Sequence, residues 1–335
     1  MHYKGFFVRI FLILFLLSSL LYSEEEYKLG EGVQVGSLPF YLGGYVSLNY
    51  LKREQETEYS IDDLAIMGYG NYDKFSYMLE LEFKELYVYK DHHNETSTDK
   101  DTHLYTERAY VDYCHNENYL FRVGKYNSPI GFWNLLPINV LRETTSSPQS
   151  TYILFPKYTT GLDSTYTRYK DGEVKINLTL QNNEGIDEVY NNYKTDKHYG
   201  FGASYELNEY TLKFNSGYFH TENALPEKNI YYMLLSAKYE SDNYQILTEL
   251  GSQRTKDEYT TKYAGYLQGV YRFTSEHIAV LRAESYENTK EDKSNTMMIV
   301  GYTYRPLYPV AIKSEYQIHS EEDENQLLFS LSVLF

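Results

Sequence analysis

Apolar and polar residues alternate with a period of two along much of the chain. The clearest case is residues 75–84, where the apolar positions are Phe75, Tyr77, Leu79, Leu81 and Phe83. Glu80 and Glu82 occupy the intervening positions. Successive side chains of a β-strand point to opposite faces, so this pattern predicts strands with one apolar and one polar face.

The alternation divides the chain into sixteen predicted strands. They are residues 40–51, 61–72, 75–89, 102–114, 118–126, 160–169, 173–183, 197–207, 209–220, 230–239, 243–251, 260–273, 276–286, 295–305, 308–319 and 326–335. The alternation is weak in 61–72 and 276–286, which leaves 14 or 18 strands as alternatives.

The predicted connections alternate between long polar segments and tight turns. The long ones are 52–60, 90–101, 127–159, 184–196, 221–229, 252–259, 287–294 and 320–325. Membrane barrels sort their connections in this way, with short turns at one end and long loops at the other. Hydrocarbon offers no hydrogen bonds, so strands can span it only as a closed cylinder. We therefore predict an all-β fold, a transmembrane antiparallel barrel of about sixteen strands.

Composition agrees with a membrane barrel and excludes several other classes. The chain has 40 Tyr among 335 residues, and tyrosine is favoured where acyl chains meet headgroups. The net charge of −16 argues against nucleic-acid binding, and a single Cys excludes an internal disulfide.

Residues 1–23 have the pattern of a secretory signal peptide. Lys4 and Arg9 precede a short apolar run that ends before an acidic segment, and the run is shorter than the ~20 residues of a spanning helix. Its removal would take two positive charges and change the net charge from −16 to −18. We expect residues 24–39 to form a short periplasmic segment and residues 40–335 the barrel in the bacterial outer membrane.

Two neighbouring segments resemble porins of the phosphate-selective O/P type. They are residues 107–113 (ERAYVDY) and 120–132 (LFRVGKYNSPIGF), and residues 331–335 (LSVLF) resemble the closing strand of outer-membrane barrels. The close resemblance covers only about 30 residues, whereas the barrel pattern covers the mature chain. The resemblance implies a homotrimeric diffusion channel whose third long loop folds inward to narrow the pore.

The longest predicted loop, residues 127–159, occupies the position of that third loop. Its apolar residues include Ile130, Phe132, Trp133, Ile138 and Val140, which are too apolar to remain in water. We expect a constriction loop that packs on the inner wall. An excursion into the membrane or against another subunit is the alternative.

Charged residues near the constriction are the candidate site, because a narrow opening between low-dielectric walls focuses their field. The candidates are Arg142 and Glu143 on the loop and Glu80, Glu82, Arg108, Asp112, Arg122 and Lys175 on neighbouring strands. They could instead be ordinary lumen charges that pair with one another. We predict no catalytic residue, cofactor or metal ligand.

The acidic net charge departs from what a phosphate-selective channel would need. We expect passage of small hydrophilic solutes and ions with a cation preference or weak selectivity, and contact with the bilayer and lipopolysaccharide. An anion- or phosphate-selective porin is one alternative. An adhesin, a structural barrel or a barrel hydrolase is another, although the chain contains no GxSxG, HExxH, P-loop or GxGxxG motif.

Overall fold

A computed structural model describes residues 28–92, 95–222, 228–288, 293–320 and 324–335. The predicted signal peptide, residues 1–23, lies outside these residues. The strands are β1 (Val33–Gln34), β2 (Phe40–Lys52), β3 (Glu56–Tyr72), β4 (Phe75–His92), β5 (Glu95–Asp99), β6 (Tyr105–Asn116), β7 (Tyr119–Asn127), β8 (Tyr158–Tyr169), β9 (Glu173–Asn182), β10 (Thr195–Leu207), β11 (Tyr210–Thr221), β12 (Lys228–Glu240), β13 (Tyr244–Arg254), β14 (Tyr259–Arg272), β15 (His277–Asn288), β16 (Lys293–Leu307), β17 (Val310–His319) and β18 (Gln326–Leu334).

Three short helical turns and one helix, α1 (Gln149–Ile153), complete the described elements. The turns are Trp133–Leu135, Asn139–Leu141 and Glu188–Tyr190. None of the helical segments in the described ranges is long and apolar enough to cross a membrane.

The strands form one closed antiparallel barrel. Each barrel strand pairs with its neighbour in the chain, and β18 pairs with β2, for example Leu331 with Leu48. The short strands β1 and β5 add to the edges of β2 and β4, so the barrel itself has sixteen strands. The predicted sixteen-stranded barrel is confirmed.

Strand β12 shows how the alternating pattern builds the wall. Tyr231, Met233 and Leu235 point outward and are exposed, whereas Tyr232 and Leu234 point inward and are buried. An apolar outer face matches hydrocarbon, and polar groups along the backbone are satisfied by the neighbouring strands.

Tyrosines of adjacent strands meet in pairs at both ends of the barrel. Near the tight turns, Tyr210 and Tyr239 have ring centroids 5.0 Å apart. Near the long loops, Tyr218 and Tyr231 are 5.3 Å apart. These positions suit rings that anchor a barrel at the two membrane surfaces.

The first two long connections are shorter than the sequence predicts. β2 ends at Lys52 and β3 begins at Glu56, so the predicted loop 52–60 is mostly strand. Within the predicted loop 90–101, β5 forms a hairpin on β4 and pairs Tyr89 with Thr98. Where a strand extends beyond the hydrocarbon, both of its faces meet water and can carry polar residues. The alternation of apolar and polar residues is then lost, so it does not predict these strand ends.

Candidate functional site

The inner loop, residues 128–157 between β7 and β8, folds into the barrel and packs on its inner wall. Near its two ends, Ile130, Leu154 and Phe155 are buried in one cluster with inward-facing residues of β11 and β12, among them Phe219 and Tyr232. This contact explains why the loop is apolar, because packing on the wall removes its hydrophobic side chains from water. The predicted inward-folded third loop is confirmed.

Two further apolar contacts fix the middle of the inner loop. Ile138 and Val140 are buried in a cluster with Tyr45 and Ala65 of β2 and β3. The ring of Trp133 meets Tyr266 of β14 edge-on, with centroids 6.4 Å apart. The loop therefore contacts the wall on both sides of the closing seam between β18 and β2.

Buried acidic side chains of the wall accept hydrogen bonds from the backbone of the inner loop. Glu315 of β17 accepts from Thr145 N at 3.0 Å and from Ser146 N at 3.2 Å. Glu284 of β15 accepts from Gln149 N at 2.9 Å. Backbone N–H groups that leave water need such partners, so these carboxylates hold the loop in one conformation.

Buried basic side chains of the wall donate to carbonyl and hydroxyl oxygens of the same loop. Arg282 of β15 donates to Ser146 O at 3.0 Å and to Thr144 Oγ1 at 2.9 Å. Lys313 of β17 donates to Asn139 Oδ1 at 2.8 Å. The loop is thus held by wall charges of both signs.

A cavity of about 320 Å³ lies beside the inner loop, and we call it the opening. One side carries the carboxylates of Asp62, Asp63, Glu82 and Glu107 on β3, β4 and β6. The inner loop carries Arg142 and Lys157 on the same cavity. Opposed charges across a narrow opening set up a transverse field there.

Arg142 lines the opening and donates hydrogen bonds to the inner loop itself. Its Nε donates to Leu136 O at 2.6 Å, its Nη1 to Ser147 Oγ at 3.2 Å, and its Nη2 to Pro137 O. Glu143, in contrast, forms an ion pair with Arg305 of β16 at 3.2 Å. Of the two predicted loop charges, Arg142 is the one that lines the cavity.

The predicted wall charges are all inward-facing, and most are paired. Arg108 donates to Glu80 through Nε. Arg122 donates to both oxygens of Asp112 at 2.7 and 2.8 Å, with its guanidinium 4.1 Å from the Tyr110 ring centroid.

Two other predicted wall residues, Glu82 and Lys175, do not take part in these two ion pairs. Glu82 lines the opening. Lys175 lies at the other end of the barrel, close to the tight turn between β8 and β9, where it pairs with Glu173 at 2.6 Å. The structure therefore does not bring Lys175 to the opening.

Three acidic residues of the opening were missed by the sequence pattern. Asp62 lies at a β-bulge of β3 against β2, where Ile61 pairs with Leu48 and Asp63 pairs with the next residue, Ser47. Glu107 lies at a second bulge, between Arg108 and Thr106 in the pairing of β6 with β4. A bulge inserts an extra residue and breaks strict alternation, so consecutive residues can face the lumen. The weak alternation of segment 61–72 was the available signal.

The loop between β9 and β10 covers part of the inner loop. Asn192 Nδ2 donates to Phe155 O at 2.8 Å, and Tyr193 OH donates to Ile153 O at 2.8 Å. Tyr190 and Asn191 line the opening. This second loop therefore completes the rim of the opening.

His103, in the segment between β5 and β6, contacts Asp101. Asp101 accepts from the backbone N–H of His103 at 2.8 Å and from Tyr105 OH at 2.7 Å, and its pKa is lowered to about 2 by these bonds. His103 Nδ1 lies 2.9 Å from Asp101. His93 lies outside the described residues.

Solved structures with the same fold are outer-membrane channels and porins. The outer membrane channel DcaP of Acinetobacter baumannii superposes with a TM-score of 0.60 at 10% identity, over 92% of this chain and 100% of that one. OmpF of Salmonella typhi gives 0.61 at 10% identity, over 88% and 97%. An anion-selective porin of Comamonas acidovorans gives 0.60 at 10% identity, over 88% and 99%. The chain has the fold of outer-membrane porins.

By sequence, the chain matches no protein-family model and no curated protein. The likeness to porins therefore rests on the fold. It covers nearly the whole length of the solved chains.

Proposed function

We propose that this protein is a passive diffusion channel of the bacterial outer membrane for small hydrophilic solutes and ions. The observation that carries the proposal is the inner loop, which enters a closed barrel and leaves a charged opening beside it. A barrel of about sixteen strands is wide enough to hold an aqueous channel. We expect a loop held on its inner wall to narrow that channel.

The charges of the opening support a weak preference for cations. Asp62, Asp63, Glu82 and Glu107 line it together with Lys84 of the same wall, and the basic residues Arg142 and Lys157 line it from the inner loop. The acidic excess is small, which agrees with weak selectivity better than with a strict filter. The resemblance of residues 107–113 and 120–132 to phosphate-selective porins supports the competing proposal of an anion channel, for which Arg142 and Lys157 would form the binding side.

Assembly and surroundings complete the proposal. We expect a homotrimer, as the sequence resemblance implies, with the apolar outer face in the bilayer and the polar outer loops against lipopolysaccharide. Cross-linking of the protein in native outer membranes would measure the number of subunits. A monomer in that experiment would refute the trimer and leave the channel untouched.

Reconstitution in a planar bilayer tests the channel. We expect stable current steps and, under a KCl gradient, a reversal potential of the sign that K⁺ permeation gives. A reversal potential of opposite sign would replace the cation proposal with the anion or phosphate channel. Reproducible silence from folded protein would overturn the channel itself and favour an adhesive or enzymatic barrel.

A further inference from the structure

The loop between β9 and β10, residues 183–194, reaches the wall that carries the acidic side of the opening. Asp187 Oδ2 accepts from Thr106 N of β6 at 2.7 Å, and Asp187 O accepts from Lys125 Nζ of β7. Asp187 has a left-handed backbone conformation, with a φ of +46°. A residue other than glycine keeps such a conformation only where its surroundings impose it, so the contacts with β6 and β7 fix the loop at this point.

The same loop is also fixed where the inner loop ends and β8 begins. Asn191 Nδ2 donates to Tyr158 O at 3.1 Å, and Asn191 Oδ1 accepts from Tyr158 N at 3.3 Å. Asn192 Oδ1 accepts from Lys157 N at 2.8 Å. The helical turn of residues 188–190 lies between these contacts and those of Asp187, so its backbone is held from both sides.

Tyr190, the last residue of that turn, places its side chain on the opening. Its ring meets the ring of Tyr105 edge-on, with centroids 6.0 Å apart, and Lys84 Nζ lies 5.3 Å from its centroid. Tyr105 pairs with Glu82 between β6 and β4, and Lys84 follows Glu82 by two residues on β4. The ring therefore lies over this part of the wall, where Glu82 lines the opening and yet is only 2% exposed.

The ring of Tyr190, and not its hydroxyl group, makes the contacts that hold the side chain. Tyr190 OH is buried and has no hydrogen-bond partner among the described residues. A buried tyrosine hydroxyl usually has such a partner, so hydrogen bonding does not explain where this side chain lies. The contacts with Tyr105 and Lys84 both involve the ring.

We propose that Tyr190 determines the size of the solutes that pass through the opening. This inference rests on the proposed channel function. The backbone on both sides of Tyr190 is fixed, and the ring is packed against the wall, so the ring stays in the path of a solute. The diameter of a pore decides which solutes pass, and here the bulk of this one side chain sets it.

Swelling of liposomes that contain the purified protein, in neutral sugars of increasing size, tests the inference. Neutral sugars report the width of the opening without the effect of its charges. We expect Tyr190→Ala to admit the largest sugar that enters at least about twofold faster than the wild type, and Tyr190→Trp to admit it more slowly. Tyr190→Phe keeps the ring and should restore the wild-type size limit. Single-channel conductance at high KCl concentration, where charges are screened, should follow the same order.

Tyr259→Ala is the matched control. Tyr259 is an exposed tyrosine at the start of β14 and is not one of the residues that line the opening. Its removal takes away the same side chain and should leave sugar entry and conductance as in the wild type. An equal increase in Tyr259→Ala and Tyr190→Ala would overturn the role of Tyr190.

The opposite directions expected for alanine and tryptophan separate this role from a structural one. If Tyr190 only stabilised its loop, Tyr190→Ala and Tyr190→Trp would shift entry and conductance in the same direction, and that result would overturn the inference. Should Tyr190→Ala fail to fold, Tyr190→Trp and Tyr190→Phe still decide the test, since equal sugar entry and conductance in these two would also overturn it. A wild type that admits neither sugars nor ions would refute the channel itself, whereas a conducting wild type with unchanged variants would refute only the role of Tyr190.

Discussion

Arg142 shows how a single side chain can oppose the acidic wall of the opening. Its guanidinium is held by Leu136 O, Pro137 O and Ser147 Oγ, which fix its position without cancelling its charge. Glu143, the next residue, is neutralised by Arg305. Position on the cavity and the absence of a bound carboxylate in the described contacts together distinguish Arg142 from the other predicted basic residues, Arg108, Arg122 and Lys175.

Replacement of Arg142 by Ala is expected to increase the preference for cations. The four carboxylates of the opening would then face one basic loop residue, Lys157, in place of two. The reversal potential under a KCl gradient should move toward the K⁺ equilibrium potential. Lys170→Ala, which removes an exposed charge from the tight turn between β8 and β9, should leave it unchanged. A shift of the same size in both variants would attribute the effect to net charge alone.

Sequence alternation could predict part of this site and not the rest. Glu80, Glu82, Arg108, Asp112 and Arg122 were predicted on the inward face, and all of them lie there, because side-chain direction in a regular strand is a local property. The inward direction of Asp62 and Glu107 could not be predicted from the two-residue period, because both lie at β-bulges. Which inward charges pair with one another depends on strand register, and that is set by contacts between distant segments.

At the scale of elements, the inner loop is held by many weak contacts and a few buried charged ones. Glu315 is the clearest of the latter, since it accepts two backbone N–H groups and the hydroxyl of Ser146. A loop of this length and apolar content was predictable as inward-folded. The wall strands that receive it were not, because residues such as Glu315 and Ser146 are 169 positions apart in the chain.

Replacement of Glu315 by Ala is expected to loosen the inner loop. Buried donors left without an acceptor cost about 1–3 kcal/mol each, which favours conformations in which the loop leaves the wall. Single-channel recordings should show noisier current with steps of altered size. Glu276→Ala, an exposed acidic residue on the turn between β14 and β15, is the control and should record as the wild type. Unchanged steps and noise in Glu315→Ala would show that this anchor is dispensable.

Gly124, inside β7, allows this strand to approach β6 closely. Its φ is +130°, and a Cβ there would lie 2.1 Å from Ala109 O. We expect Gly124→Ala to lower the free energy of unfolding by about 3 kcal/mol or more, or to prevent folding. Gly269→Ala is the matched control, since a Cβ at Gly269 meets no atom within 4 Å. The heat-dependent gel shift of folded barrels would compare the two, and equal folding yields would contradict the role given to Gly124.

For the whole molecule, the outer face of the barrel wall meets hydrocarbon and the inner face meets polar groups. This difference is why the sequence pattern predicts the strands of the barrel. Hydrocarbon outside and polar groups inside impose the same two-residue period on every strand, so each strand carries its own signal. The signal ends where both faces meet water, which is why β3 extends to Glu56 beyond its predicted start. Closure itself, through the pairing of β18 with β2, follows from the need to leave no free edge in the membrane.

The membrane position of the outer face can be measured by inserting a charge at two depths. Leu235, midway along β12, is 61% exposed on the outer face, and Leu307, at the end of β16, is 58% exposed next to a tight turn. Leu235→Arg is expected to lower the free energy of unfolding by about 2–4 kcal/mol and Leu307→Arg by about 0–1 kcal/mol, since the cost of arginine falls toward the interface. Reversible denaturant titrations in lipid bilayers would give both values. The two side chains are similarly exposed, so equal costs would mean that exposure to water, and not depth in hydrocarbon, governs this face, and the membrane-spanning arrangement of the barrel would have to be abandoned.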